Sequence, residues 1–199
     1  LEAGNDAEAY AAAQQGSASG DAELTGYLAW FYDNGRHVAQ DKARAAQLFR
    51  EAADNGDAYS QWRLGVMIDE RAAPGTLEEA VGYFRKAAAQ KYADGMVGLA
   101  VMHASGRGVE QDFVAAMRYY QAAARMGNSH GLQGIGVLYA NGEGVEKDIG
   151  EALAFWLVAS AAGNETADEL LAEFMPQIAD ADTDGLLARA DTIARDYGV

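Results

Sequence analysis

The sequence predicts an all-α protein, a solenoid of four stacked helical hairpins closed at each end by a capping helix. Three observations predict it. A five-residue block, one aliphatic residue followed by a small one and then larger apolar ones, recurs with its small residue at Ala29, Gly65, Ala100 and Gly136, at spacings of 36, 35 and 36. Within each period, alanines and one aromatic residue fall at offsets of 3, 4 and 7, which mark one face of an α-helix and not the alternation of a strand. Between these segments, glycines and N-cap residues recur in register, so each period is one helix, a turn and a second helix.

In chain order, residues 5–15 form an alanine-rich stretch that reads as an N-terminal capping helix within residues 1–21. The first helices of the four units contain Leu28-Ala29-Trp30-Phe31-Tyr32, Leu64-Gly65-Val66-Met67-Ile68, Leu99-Ala100-Val101-Met102-His103 and Ile135-Gly136-Val137-Leu138-Tyr139. Seven residues before each small residue stands Ala22, Ala58, Ala93 or Ser129, and six after it Gly35, Gly106 or Gly142, with Arg71 the exception. Each second helix carries an alanine (Ala45, Ala80, Ala116, Ala152), then Phe49, Phe84, Tyr120 or Trp156, then a second alanine (Ala52, Ala87, Ala123, Ala159). Small residues at the crossing let two helix backbones approach, and the rings fill the wedge between neighbouring hairpins. Asp41, Asp112 and Asp148 stand where a carboxylate accepts the unpaired amides of a helix start, and the shorter second unit has Thr76 with Glu79, a capping box. Gly56, Gly127 and Gly163 close second helices where a left-handed residue is needed, and Lys91 occupies that place in the second unit. The repeats therefore run over 22–57, 58–92, 93–128 and 129–164. Residues 165–199 hold a degenerate fifth first helix around Leu171-Ala172-Glu173-Phe174-Met175, stopped by Pro176, and a last amphipathic helix over 184–197 that completes the cap.

These residues resemble the Sel-1-like repeat (SLR) family, a relative of the tetratricopeptide repeat. Gly142-Glu143-Gly144-Val145 with Asp148, and Gly106-Arg107-Gly108-Val109 with Asp112, are similar to its inter-helix loop signature. The resemblance covers residues 22–164 and implies a right-handed α/α superhelix. It also implies a non-enzymatic adaptor of the kind used in bacterial signalling, envelope assembly or protein quality control. Two loops depart from the pattern: His37 replaces the second glycine of the first unit, and Arg71-Ala72-Ala73-Pro74-Gly75 replaces the double-glycine turn of the second, which is expected to deviate in path.

Composition narrows the function further. Half of the 199 residues are hydrophobic, so the chain is no disordered acidic tail, and with 2 prolines and no cysteine it is neither collagen-like nor disulfide-stapled. Thirty acids against 15 bases give a formal charge of -15, which repels a phosphate backbone, and nucleic acid is not an expected partner. The most apolar run, 152–162, is far shorter than the roughly 20 residues that span a bilayer, so no membrane insertion is expected. The chain starts at Leu1 and not at methionine, so any leader lies outside it; the expectation is a periplasmic or secreted location, with the cytoplasm as the alternative. Nine acids and two arginines in 165–199 make a charged end that discourages stacking of arrays.

In such arrays the first helices line the concave side. With Ala22, Leu28, Ala29 and Tyr32 toward the core, the opposite face carries Glu23, Gly26, Tyr27 and Trp30, then Tyr59, Trp62, Arg63 and Val66, then Asp94, Val97, Gly98 and Val101, then His130, Gln133, Gly134 and Val137. Tryptophan, tyrosine and arginine dominate interface energetics. The expected function is thus a scaffold in whose groove an extended peptide or partner helix lies, anchored by Tyr27, Trp30, Tyr59 and Trp62 and oriented by Arg63, with the glycines and valines leaving room. A glycan or cell-wall module is the alternative, the same rings stacking on sugars while Asp94, His130 and Gln133 bond hydroxyls.

Catalytic motifs are weak. Gly127-Asn128-Ser129-His130-Gly131 matches G-x-S-x-G, but that elbow needs a strand leading into it, and Ser129 stands in a helix-start slot. His37, His103 and His130 occupy three different slots and make no zinc triad. No enzyme activity and no cofactor are expected. Asp180, Asp182, Asp184 and Asp191, with Gly185 at position 6, match the spacing of a calcium loop, although aspartate replaces the bidentate glutamate of position 12 and no second loop pairs with it.

Overall fold

The computed structural model describes residues 3–177 and 183–199. Its elements are all helical: α1 (Ala3–Ala18), α2 (Ala22–Asn34), α3 (Lys42–Asp54), α4 (Ala58–Asp69), α5 (Leu77–Ala89), α6 (Ala93–Ser105), α7 (Phe113–Ala124), α8 (Ser129–Asn141), α9 (Ile149–Ala161), α10 (Glu165–Phe174), a 3₁₀ turn at Met175–Gln177 that contains Pro176, and α11 (Thr183–Tyr197). Among the described residues there is no strand.

Helix starts follow their caps. Asp41, Asp112 and Asp148 accept the amides of Arg44, Ala115 and Glu151 at 2.8, 2.9 and 2.9 Å. Thr76 accepts from Glu79 N at 3.3 Å while Glu79 Oε2 accepts from Thr76 N at 2.9 Å, completing the reciprocal box. In three units the cap residue's own amide also donates across the loop, Asp41 to Tyr32, Asp112 to His103 and Asp148 to Tyr139, at 2.9 to 3.0 Å. The second loop takes another route. Its Ala72 and Ala73 amides both donate to Met67 O, and the three residues that stand in for glycine, His37, Arg71 and Lys91, hold φ of 61, 60 and 61°. Backbone demand for a left-handed residue survives the loss of the glycine, at a cost of roughly 1–2 kcal/mol each.

The repeated alanines form the helix crossings. Ala45, Ala52, Ala80, Ala87, Ala116, Ala123, Ala152 and Ala159 are completely buried. Beside them Phe49, Phe84, Tyr120 and Trp156 are buried rings. The last three lie against bare glycine backbone: a Cβ on Gly65 or Gly98 would fall 2.7 or 2.6 Å from the Phe84 ring, and Gly134 and Gly136 face Tyr120 and Trp156 in the same way. Glycine inside a helix is unfavourable by about 1 kcal/mol against alanine; here the vacated volume seats the ring.

Two compact units divide the chain, Leu1–Gly98 with Arg107–Val109 and Leu99–Gly106 with Glu110–Val199. In the first, α1 covers α2: Tyr10 meets Phe31 edge-on at 5.3 Å, Gly16 makes room for Leu24, and Arg36 pairs with Asp6 at 2.5 Å. In the second, α11 buries Leu186, Ala190 and Ile193 and packs on α9, with Tyr197 edge-on to Phe155 at 6.0 Å.

Candidate functional site

The starts of the first helices build an aromatic cleft in the N-terminal unit. Asp21 caps α2 by accepting from Leu24 N at 2.9 Å, and Asp57 caps α4 by accepting from Ser60 N at 2.7 Å. The matching slot before α6 holds Tyr92. Glu23, Leu24 and Tyr27 from α2, Asp57, Ala58 and Tyr59 from the start of α4, and Tyr92 enclose about 560 Å³. Gly26 lets α4 come close, since a Cβ there would meet Asp57 Oδ2 and the buried Ser60 hydroxyl.

Ring contacts hold the walls. Tyr27 stacks on Trp30 at 5.7 Å with planes 6° apart. Tyr59 stands edge-on to Phe49 at 5.9 Å, and Trp62 lies between Tyr59 and Tyr92 at 5.7 and 5.9 Å. Both indoles are half-buried and act as buttresses behind the tyrosines; neither lines the cleft. Such pairs stabilise by about 0.5–1.5 kcal/mol beyond area burial, so the tyrosine faces are held before any ligand arrives.

The electrostatics are one-sided. Glu23 and Asp57 line the cleft, and among the described residues none of its lining side chains is basic. Burial, followed by the nearby charges of Asp94, Tyr59 and Asp57, pushes the Tyr92 phenol up to about 12. The Tyr59 phenol is raised too, by burial first and by Asp33 and Asp57, against the opposing effect of Arg63.

Arg63 does not reach the cleft. Its Nε and Nη2 donate to Asp33 Oδ2 at 2.9 and 2.7 Å, and Lys42 Nζ donates to Asp33 Oδ1 at 2.9 Å. Burial of Asp33 favours its neutral form, but these two cations outweigh that and hold the carboxyl below its ordinary value.

Of the residues expected from sequence to bind a partner, the structure brings Glu23, Tyr27 and Tyr59 into one cleft; Trp30, Trp62, Arg63 and Asp94 do not line it. His130 is exposed near the start of α8, and the backbone carbonyl of half-buried Gln133 accepts from Trp156 Nε1 at 3.1 Å; both belong to the second unit. The room expected at Gly98 and Gly134 for a ligand is taken by the chain itself, through the Phe84 and Tyr120 rings. That expectation is corrected: the slot faces the preceding hairpin, which is also why Arg63, its occupant in the second unit, reaches back to Asp33. Leu24, Asp57, Ala58 and Tyr92 were missed. For Tyr92 a signal existed, an aromatic residue standing where the other units place Asp21, Asp57 and Asn128.

Ser129 is the first residue of α8, behind the cap Asn128, whose side chain accepts from His130 N and Gly131 N at 3.0 and 3.2 Å. Of the calcium-loop residues, Asp180 and Asp182 lie outside the described residues. Asp184 and Asp191 are exposed on the continuous α11, seven residues and so about 10 Å of helical rise apart. No metal-holding group of side chains occurs among the described residues. A second cleft of about 360 Å³ lies between α9 and α11 and is lined mainly by aliphatic side chains, among them Leu157, Leu187 and Val199. No helix is long and apolar enough to cross a membrane among the described residues.

The Sel1 repeat family profile matches residues 26–57, 58–92, 93–128 and 130–164. Among solved structures, the fold is similar to that of a protective antigen of uropathogenic Escherichia coli strains displaying an SLR fold (TM-score 0.79, 28% identity, covering 93% of this chain). This chain spans 39% of that antigen's chain. A Sel1 repeat protein from Oxalobacter formigenes is also similar (TM-score 0.72, 28% identity, 90% of this chain and 75% of that one). A Sel1 repeat protein from Klebsiella pneumoniae (TM-score 0.55, 23% identity, 82% of each chain) shares the fold. No curated protein shows significant similarity to the chain.

Proposed function

Because this chain belongs to the Sel1 repeat family, whose members are generally non-catalytic scaffolds for protein interaction, we propose that it binds an extended segment of a protein partner at the first-helix cleft of its N-terminal unit. The single observation that carries this reading is the 560 Å³ cleft walled by Tyr27 on α2, Tyr59 on α4 and Tyr92 immediately before α6. Tyrosine supplies large contact area for few rotatable bonds, and rings already held by Trp30 and Trp62 lose little freedom on binding. The cleft between α9 and α11 has no aromatic side chain among its described lining residues, which favours the N-terminal site.

The glycan alternative is weaker at this place. Asp94, His130 and Gln133, its hydroxyl partners, do not line the tyrosine cleft. The scaffold reading is tested with a partner obtained by cross-linking in cells. Tyr27→Ala and Tyr59→Ala, with circular dichroism to confirm folding, are expected to weaken its affinity at least tenfold each, since such anchors are worth about 2 kcal/mol or more. Unchanged affinity in folded variants removes the reading. Retention on polysaccharide beads with no protein partner replaces it with the glycan one.

A further inference from the structure

Resting on that reading, we infer that the cleft receives a lysine or arginine side chain of the partner segment. Its aliphatic stem lies along Leu24, Ala58 and the tyrosine rings, and its charged head is directed toward Glu23 and Asp57. Three kinds of observation converge on a cation.

The walls are the first. Tyr27, Tyr59 and Tyr92 are three aromatic rings around one volume, and an aromatic face attracts a cation through its quadrupole, most strongly where water is displaced. A long amphipathic side chain suits a cleft that is apolar along its length and acidic at two points.

The local charge is the second. Glu23 and Asp57, the charged side chains of the lining, are both carboxylates, Asp94 stands beside Tyr92, and the cations Arg63 and Lys42 are committed to Asp33. The positive ends of α2 and α4, which would otherwise favour an anion, already carry the cap carboxylates of Asp21 and Asp57.

The long-range field is the third. A formal charge of -15 steers basic segments toward the chain and repels acidic ones. A bare metal ion is a poorer occupant, because no metal-holding group of side chains is present among the described residues.

The test uses the whole chain, labelled with ¹⁵N, and a pair of probes of the same shape and different charge: n-butylguanidinium and n-butylurea. The cation is expected to shift the amides of Gly26, Tyr27, Tyr59 and Tyr92 and to half-saturate at a concentration about tenfold lower than the urea, a preference that shrinks as salt is raised. Glu23→Gln with Asp57→Asn removes both charges while asparagine keeps the α4 cap, so this folded double variant is expected to lose the preference. Equal binding of the two probes, a preference that persists in the double variant, or no shift of the cleft amides by either probe overturns the inference. These outcomes are separable from failure of the scaffold reading. Partner binding that still depends on Tyr27 and Tyr59 while the probes are not discriminated sinks only the cation; partner binding indifferent to both tyrosines sinks the scaffold reading whatever the probes do.

Discussion

Replacing Asp33 by alanine is expected to be among the most damaging single changes to the N-terminal unit, even though the residue lies outside both the repeat signature and the cleft. Asp33 is only 4% exposed and accepts three charge-assisted hydrogen bonds. The Arg63 pair is the larger part, since Arg63 is 20% exposed; two such bonds, lost together with the desolvated guanidinium left unpaired, amount to about 2 kcal/mol. Lys42 is 51% exposed, so its bond adds about 0.5 kcal/mol after solvent screening. The sum, about 2 to 3 kcal/mol, corresponds to a melting temperature lower by roughly 5 to 10 °C in a chain of this size. The effect has a pH signature. The folded carboxyl is held below its ordinary 3.8, so its contribution is fully present above that value and disappears as pH falls through the lowered folded value. Thermal melts followed by circular dichroism, at neutral pH and at the lowest pH where both proteins stay folded, are the assay. The gap between wild type and Asp33→Ala is expected to narrow on acidification, and Arg63→Met is expected to cost less when combined with Asp33→Ala than alone. A neutral-pH difference under about 0.5 kcal/mol, a gap that does not change with pH, or strictly additive double variants would refute the reasoning.

Gly82→Ala in the middle of α5, where an added Cβ meets nothing within 4 Å, is expected to raise stability by about 1 kcal/mol in urea melts, whereas Gly98→Val drives into the Phe84 ring and is expected to lower it by about 2 kcal/mol. Lys91→Gly relieves a left-handed backbone at φ 61° and is expected to stabilise by about 0.5–1 kcal/mol in the same assay; a loss would mean that the lysine side chain contributes more than the strain removed. The Tyr92 and Tyr120 phenols, both pushed up to about 12 chiefly by burial, favour the folded state while neutral. That contribution is intact below 10 and is lost as pH rises from 10 toward 12, so ultraviolet titration is expected to show these phenols ionising only near 12, together with loss of helix. Two phenols that titrate near 10 in a folded chain would contradict their burial.

The helices, the caps of the second helices and the order of the elements were legible in the sequence because they depend on local chemistry repeated four times. A carboxylate three residues before an amide caps a helix wherever it occurs, and alanines at offsets of 7 share one face regardless of what lies opposite. Even the irregular second loop was legible, since a five-residue segment without its double glycine cannot follow the same backbone path. Tertiary structure alone decided which neighbour each face meets. Helical spacing sets the angle of a side chain about its own axis, but the approach of the next hairpin depends on the volumes packed between them. Thus Gly98 and Gly134, read from spacing as a free surface, seat Phe84 and Tyr120. Arg63, read as a ligand contact, is drawn to Asp33 thirty residues earlier. Tyr92 joins Tyr27 and Tyr59 because three helix starts come together around one cleft, a proximity that no interval along the chain records.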